Sequence, residues 1–185
     1  MNRALITKIH LLLAAFMFPV ALMFLVTGGF YTWGIKGDYV SESYEIALSE
    51  PLTPDAEVLS DIVAGQLKLR FIDPPSGSAG LKKGGTSYKL EWTGSERDVE
   101  FEPTADPLIA KLTIKETTWY RNLVQLHKAK GGQLFKFYAA GLAISLFTIL
   151  ASGFLLAWQV PKLRRLAIMC SVSGIAVFAV AVLFS

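Results

Sequence analysis

Three stretches of this 185-residue chain contain no aspartate, glutamate, lysine or arginine: 9–35, 137–161 and 166–185, of 27, 25 and 20 residues. A helix needs about 20 apolar residues to cross the roughly 30 Å hydrocarbon core of a bilayer. Each run reaches that length. Inside lipid a helix is also the only open chain that satisfies its own backbone hydrogen bonds. All fifteen acidic residues fall between Asp38 and Glu116, so the runs bracket one polar block. A composition of 52% hydrophobic and 18% charged residues excludes a disordered chain. A single cysteine excludes an internal disulfide and any cluster built on several thiolates.

The first run invites comparison with a signal peptide, because Arg3 and Lys8 precede it. Its apolar part is longer than the usual ~7–15 residues, and no small-residue cleavage pattern follows. It reads as an uncleaved anchor. Pro19 stands in its middle. In a soluble helix this would cost about 3 kcal/mol, but neighbouring helices re-satisfy the freed carbonyl in a membrane. A packing kink is the reading, with a hinge or cavity as the alternative.

Arg3 and Lys8 share one side of the membrane with Lys162, Arg164 and Arg165 if there are three spans. Lys36, Arg121, Lys128, Lys130 and Lys136 flank the other side in equal number. Charges in long loops weigh less in orientation. The N-terminus is therefore expected in the cytoplasm of a bacterial inner membrane, with residues 36–136 and the C-terminus periplasmic. The block 36–136 holds 13 basic and 15 acidic residues, a net charge of −2. That argues against a nucleic-acid surface.

Within the block, Tyr44, Ile46 and Leu48 alternate with polar or small residues, as in a half-buried strand. Thr53-Pro54 reads as an N-cap with proline at the first helical position. Leu59, Ile62, Val63 and Leu67 then form one helical stripe. Asp73 to Gly85 reads as loop. Tyr88-Leu90-Trp92, Val99-Phe101 and Leu108-Ala110-Leu112-Ile114 alternate as further strands. Glu100 and Glu102 share a strand face that reads as solvated. Trp119, Leu123 and Leu126 form the apolar face of a short interfacial helix. The division expected is a first membrane helix over 9–35, an outer α/β domain over 36–117, and an interfacial helix with a Gly131-Gly132 bend over 118–132. Membrane helices over 133–161 and 166–185 complete it.

The first two membrane helices echo each other. Thr27-Gly28 is followed by Trp33, and Ser152-Gly153 by Trp158, at the same spacing. His10 lies near the start of the first helix, and His127 precedes the second. A hydroxyl–glycine pair lets helices approach closely, and Trp33, Trp119 and Trp158 suit a headgroup zone. On these residues the chain resembles the PepSY-associated transmembrane proteins. With three transmembrane helices where many of those relatives have four or more, the chain would carry, as the resemblance implies, a small extracytoplasmic PepSY-like α/β domain of one helix and antiparallel strands between helices 1 and 2. Glu102-Pro103-Thr104-Ala105-Asp106 replaces the Asp-x-x-Thr-Gly turn usual in that family.

The resemblance also implies a test of His10 and His127 as ligands of b-type haem, since some relatives serve haem-dependent ferric or siderophore iron reduction. With the two histidines at opposite membrane faces, about 30–35 Å of helix would separate them. One haem could not use both within one subunit. The alternative is that each is a hydrogen-bonded side chain at a helix end, and no cofactor is the primary expectation. Cys170 reads as a small apolar residue. Thr27 and Ser152 read as packing residues rather than nucleophiles, because no base stands at motif distance. The leading expectation is non-catalytic. The chain would be an interaction or regulatory subunit, with a membrane-protein partner or a second copy beside it in the bilayer. A haem electron-transfer subunit is the alternative, and a peptidase-regulating outer module a further one.

Overall fold

The computed structural model describes residues 2–84 and 87–184. They separate into two compact units. One is Leu22–Ala139, and the other comprises the chain before and after it. Three helices are long and apolar enough to cross a membrane: α1 (Arg3–Thr32), α4 (Gln133–Trp158) and α5 (Pro161–Leu183). Helix α1 starts earlier than the uncharged run, because Asn2 Oδ1 accepts from the Ala4 and Leu5 amides. Pro19 lies inside this helix. Helix α5 takes in Lys162, Arg164 and Arg165, starting before the expected 166. Pro161 occupies its first turn, where a missing N–H forfeits no bond. Helix α4 ends at Trp158, short of the expected 161.

In the unit formed by the two chain ends, Met17 and Val20 of α1 and Leu142, Ser145 and Ser152 of α4 are buried. None of the described residues of α5 is buried.

In the unit Leu22–Ala139, five strands form one antiparallel sheet: β1 (Tyr39–Ala47), β2 (Ala79–Gly84), β3 (Ser87–Thr93), β4 (Arg97–Pro103) and β5 (Ile109–Thr117). Their order is β1-β5-β4-β3-β2. Helix α2 (Ala56–Leu69) covers one face with Leu59, Val63 and Leu67. It meets Ile46, Leu90, Val99, Phe101, Ala110, Leu112 and Ile114 from the strands. Burying each such side chain is worth about 1.5–3 kcal/mol, and this cluster is the core of the unit. Two expectations are corrected. The cap of α2 is Asp55, not Thr53, with Asp55 Oδ1 accepting from the Glu57 and Val58 amides. The segment read as loop contains β2, while Gly85 lies outside the described residues.

The opposite sheet face is polar. Lys82 and Lys89 reach Glu91 at 2.5 and 2.9 Å, and Lys89 and Lys115 reach Glu100 at 3.5 and 2.5 Å. Charge of alternating sign thus runs across four strands. Strand β1 forms one edge. The Leu48 amide bonds Leu108, and the Thr118 amide bonds Asp38, at the two ends of its ladder. Antiparallel ladders bond alternate residues, so the odd positions Ser41, Ser43, Glu45 and Ala47 turn their backbone groups to the free edge.

Helices α2 and α3 (Trp119–His127) end alike. The Phe71 and Ile72 amides bond back to Lys68 and Leu67, and the Ala129 and Lys130 amides to Leu126 and Gln125. These are Schellman endings, which place the residue after the cap in the left-handed region usually given to glycine. Here Phe71 and Ala129 take it, each at φ 58°.

Candidate functional site

Every hydroxyl–glycine pair singled out in the sequence receives a histidine, in crossed order. In the unit Leu22–Ala139, His127 Nδ1 lies 2.8 Å from Thr27 Oγ1. In the other unit, His10 Nδ1 lies 2.9 Å from Ser152 Oγ. Thr27 is 1% exposed and Ser152 8%, while both histidines are half-buried.

The glycines explain how the rings come so close. A Cβ on Gly28 would stand 3.1 Å from His127 Cε1, and one on Gly153 3.5 Å from His10 Cε1. The Phe24 ring lies against His127, with centroids 4.7 Å apart.

Proton placement follows from the hydroxyls. Thr27 Oγ1 donates to the Met23 carbonyl at 2.6 Å, one helical turn back, and Ser152 Oγ to the Ile149 carbonyl at 3.0 Å. Each hydroxyl has then spent its single proton and offers lone pairs. With the hydroxyl proton on the helix carbonyl, each histidine donates from Nδ1, and the neutral ring then keeps its lone pair on Nε2. That tautomer, with Nδ1–H anchored, is the one that suits metal ligation through Nε2. Each unit supplies one such histidine, and no cluster of three His, Cys, Asp or Glu suited to a metal occurs among the described residues.

A second polar cluster was not foreseen. Asp98 lies on the sheet face read as solvated, yet it is 8% exposed because α3 covers it. Its carboxylate accepts from Tyr39 Oη at 2.6 Å, Gln125 Nε2 at 3.0 Å, Lys130 Nζ at 3.2 Å and the Gly94 amide at 3.1 Å. Gln125 Nε2 and Arg121 Nη2 also donate to Tyr39 Oη, and the Arg121 guanidinium stacks over the Tyr39 ring at 4.4 Å. Burial, and then its bond to Asp98, push the Tyr39 phenol up to about 12. The Schellman ending of α3 is what turns Lys130 back toward Asp98. One signal could have revealed the cluster: the amphipathic stretch 118–130 needed a surface to lie on, and Gln125 falls between its apolar positions.

Trp33 is 85% exposed, Trp119 78% and Trp158 47%. Trp119 packs edge-on to Tyr120, and Arg164 lies over Trp158. Cys170 is exposed on α5.

Comparison with family models, with curated proteins and with solved structures finds no match for this chain.

Proposed function

We propose that the chain is a bacterial inner-membrane protein with a PepSY-like outer domain, acting as a non-catalytic interaction or regulatory subunit of a membrane assembly. Its N-terminus is cytoplasmic, and residues 36–136 and the C-terminus are periplasmic. One observation supports the reading above others. Helix α5 has no buried residue among those described, yet carries Ser171, Ser173 and Gly174, and a Cβ on Gly174 would meet nothing within 4 Å. Small residues in an apolar helix allow close approach of another helix, and among the described residues nothing buries them.

The native cysteine gives a direct test. A maleimide–diazirine reagent attached to Cys170 in native membranes should photocapture a second polypeptide, and Gly174→Leu should abolish the adduct. Capture of lipid alone, from protein intact in those membranes, would overturn the reading.

The anchored tautomer of His10 and His127 favours a second reading, an electron-transfer subunit for ferric or siderophore iron. Haem b would supply the redox chemistry when bound. His10 and His127 would hold it through Nε2, while Ser152 and Thr27 hold the rings in orientation. Oxidised and dithionite-reduced visible spectra of protein from haem-replete cells test this. A Soret band lost in His10→Ala or His127→Ala supports it, and an unchanged spectrum in both variants sinks it.

A further inference from the structure

Phe71 is 98% exposed and sits at φ 58°, and Leu69, two residues before it, is 73% exposed. A bulky aromatic in the left-handed region is strained, and its exposure wins no burial in return within the chain. Such an outlier asks for a purpose. In the segment Lys68-Leu69-Arg70-Phe71-Ile72 the exposed charge beside them is Lys68, while Arg70 turns back to donate to Gln66 and to lie over the Tyr44 ring.

Topology fixes where this segment lies within its unit. Strand β1 begins soon after α1 ends, and β5 runs directly into α3, so one end of the sheet is the end at which the chain leaves and enters its apolar helices. Helix α2 runs back toward that end. The loop after Phe71 is pinned there: the Gly77 amide bonds the Thr93 carbonyl, and Ser76 Oγ donates to the Lys130 carbonyl at 3.2 Å, three residues before α4 starts.

We propose that Leu69 and Phe71 form a hook by which the outer domain inserts into the lipid surface, with Lys68 facing anionic headgroups. Alternating basic and large apolar residues at a bilayer surface bury the apolar tips below the headgroups and leave the charges at them. The proposal rests on the membrane reading above. It goes beyond that reading in making a surface of the outer domain, and not only the spans, a lipid-binding element.

The test uses the full chain in nanodiscs of equal parts phosphatidylglycerol and phosphatidylcholine, in a Cys170→Ser background. Nitroxide labels are placed singly through Phe71→Cys, through Ser49→Cys in the loop at the other end of the sheet, and through Ile144→Cys in α4. Collision with oxygen reports lipid, and collision with a water-soluble nickel chelate reports water. The expected result is that position 71 matches position 144, with several-fold less nickel collision than position 49. Position 71 matching position 49 while 144 remains in lipid overturns the hook alone. Nickel access at both 71 and 144 overturns the membrane reading itself. Spin–spin broadening at position 71 that vanishes on dilution with unlabelled protein assigns the patch to a second copy and overturns the lipid proposal. As a second readout, Lys68→Gln should raise nickel collision at position 71 without changing position 144, and no change at position 71 counts against the headgroup contact.

Discussion

Thr27 gives its hydroxyl proton to the Met23 carbonyl and, at 2.8 Å, takes the Nδ1 proton of His127. A helix long and apolar enough to cross a membrane and the helix that leads into the next one are thus joined by a polar contact, on a site where a glycine has cleared the space. Removing the acceptor leaves a half-buried imidazole N–H without a partner, a loss of about 1–3 kcal/mol. Thr27→Val should therefore speed amide exchange in α3 by about tenfold or more, since each 1.4 kcal/mol is a factor of ten. Ser152→Ala should weaken the His10 contact in the same way. Thr148→Ala is the control: Thr148 is exposed and its hydroxyl serves only its own helix. Equal exchange in Thr27→Val and the parent chain would show that the contact holds nothing.

The same contact makes Gly28 intolerant. A methyl group there would sit 3.1 Å from the His127 ring, which would have to move by tenths of an ångström. Overpacking of this kind costs about 1–3 kcal/mol. Gly28→Ala should lower the unfolding midpoint in detergent, whereas Gly29→Ala, which meets nothing within 4 Å, should not.

Tyr39 predicts an alkaline limb. Its folded pKa stands at about 12 against an ordinary 10.0. The folded state therefore holds its proton more tightly than the unfolded chain. This contribution is fully present below pH 10 and is lost as pH rises toward 12. Circular-dichroism melts between these values should lose stability more steeply for the parent chain than for Tyr39→Phe. Parallel slopes would refute the assignment. Asp98→Ala, which strands Lys130, Tyr39 and Gln125 together, should be worse at every pH, by about 3 kcal/mol.

Glu91 predicts the opposite limb. Burial alone would raise its carboxyl, but the bonds from Lys82 and Lys89 outweigh burial and hold it below the usual range. Its contribution is present above the ordinary carboxylate value of 4.5 and is lost as pH falls through the lower folded value. Glu91→Gln should flatten that part of the acid limb. Water and salt screen such surface pairs to under about 1 kcal/mol, so the difference should shrink further in high salt.

Phe71 and Ala129 predict gains. Left-handed backbone costs a non-glycine residue about 1–2 kcal/mol, and glycine removes that strain while adding some freedom to the unfolded chain. Ala129→Gly should raise stability by up to about 1 kcal/mol, and Phe71→Gly should do so only where no lipid surface holds the ring. A lowered midpoint in either would mean that the side chain is held by contacts that outweigh its strain.

How much of this could be read from sequence depends on the distance over which each feature is decided. Runs without charge have no alternative to helix at bilayer length, so α1, α4 and α5 were legible, although Asn2 and Pro161 moved their starts. Strands β3 to β5 announced themselves by alternation. Strand β2 did not, because only Ala79 and Leu81 mark its core face, between glycines and lysines, and it is held by pairing with β3. The choice between Thr53 and Asp55 as cap was undecidable locally, since both carry an acceptor oxygen. Asp98 was hidden because α3, nearer the C-terminus, turns one end of a polar face into an interior. The echo of histidine and hydroxyl–glycine was visible, but its crossing was not: each histidine serves the motif of the other helix, and only tertiary structure decides that.

The register of β1 has one more consequence. With Ser41, Ser43, Glu45 and Ala47 turning their backbone groups outward, the sheet is unfinished along one side. An unfinished edge is a template for another strand, and natural proteins discourage its use by placing charge along it. Glu42 and Glu45 are the acids of this strand and both are exposed. Two copies meeting edge to edge would bring like charges together, so mutual repulsion keeps the edge solitary at neutral pH. Replacing both with neutral residues would remove that guard and leave the edge adhesive toward its own kind.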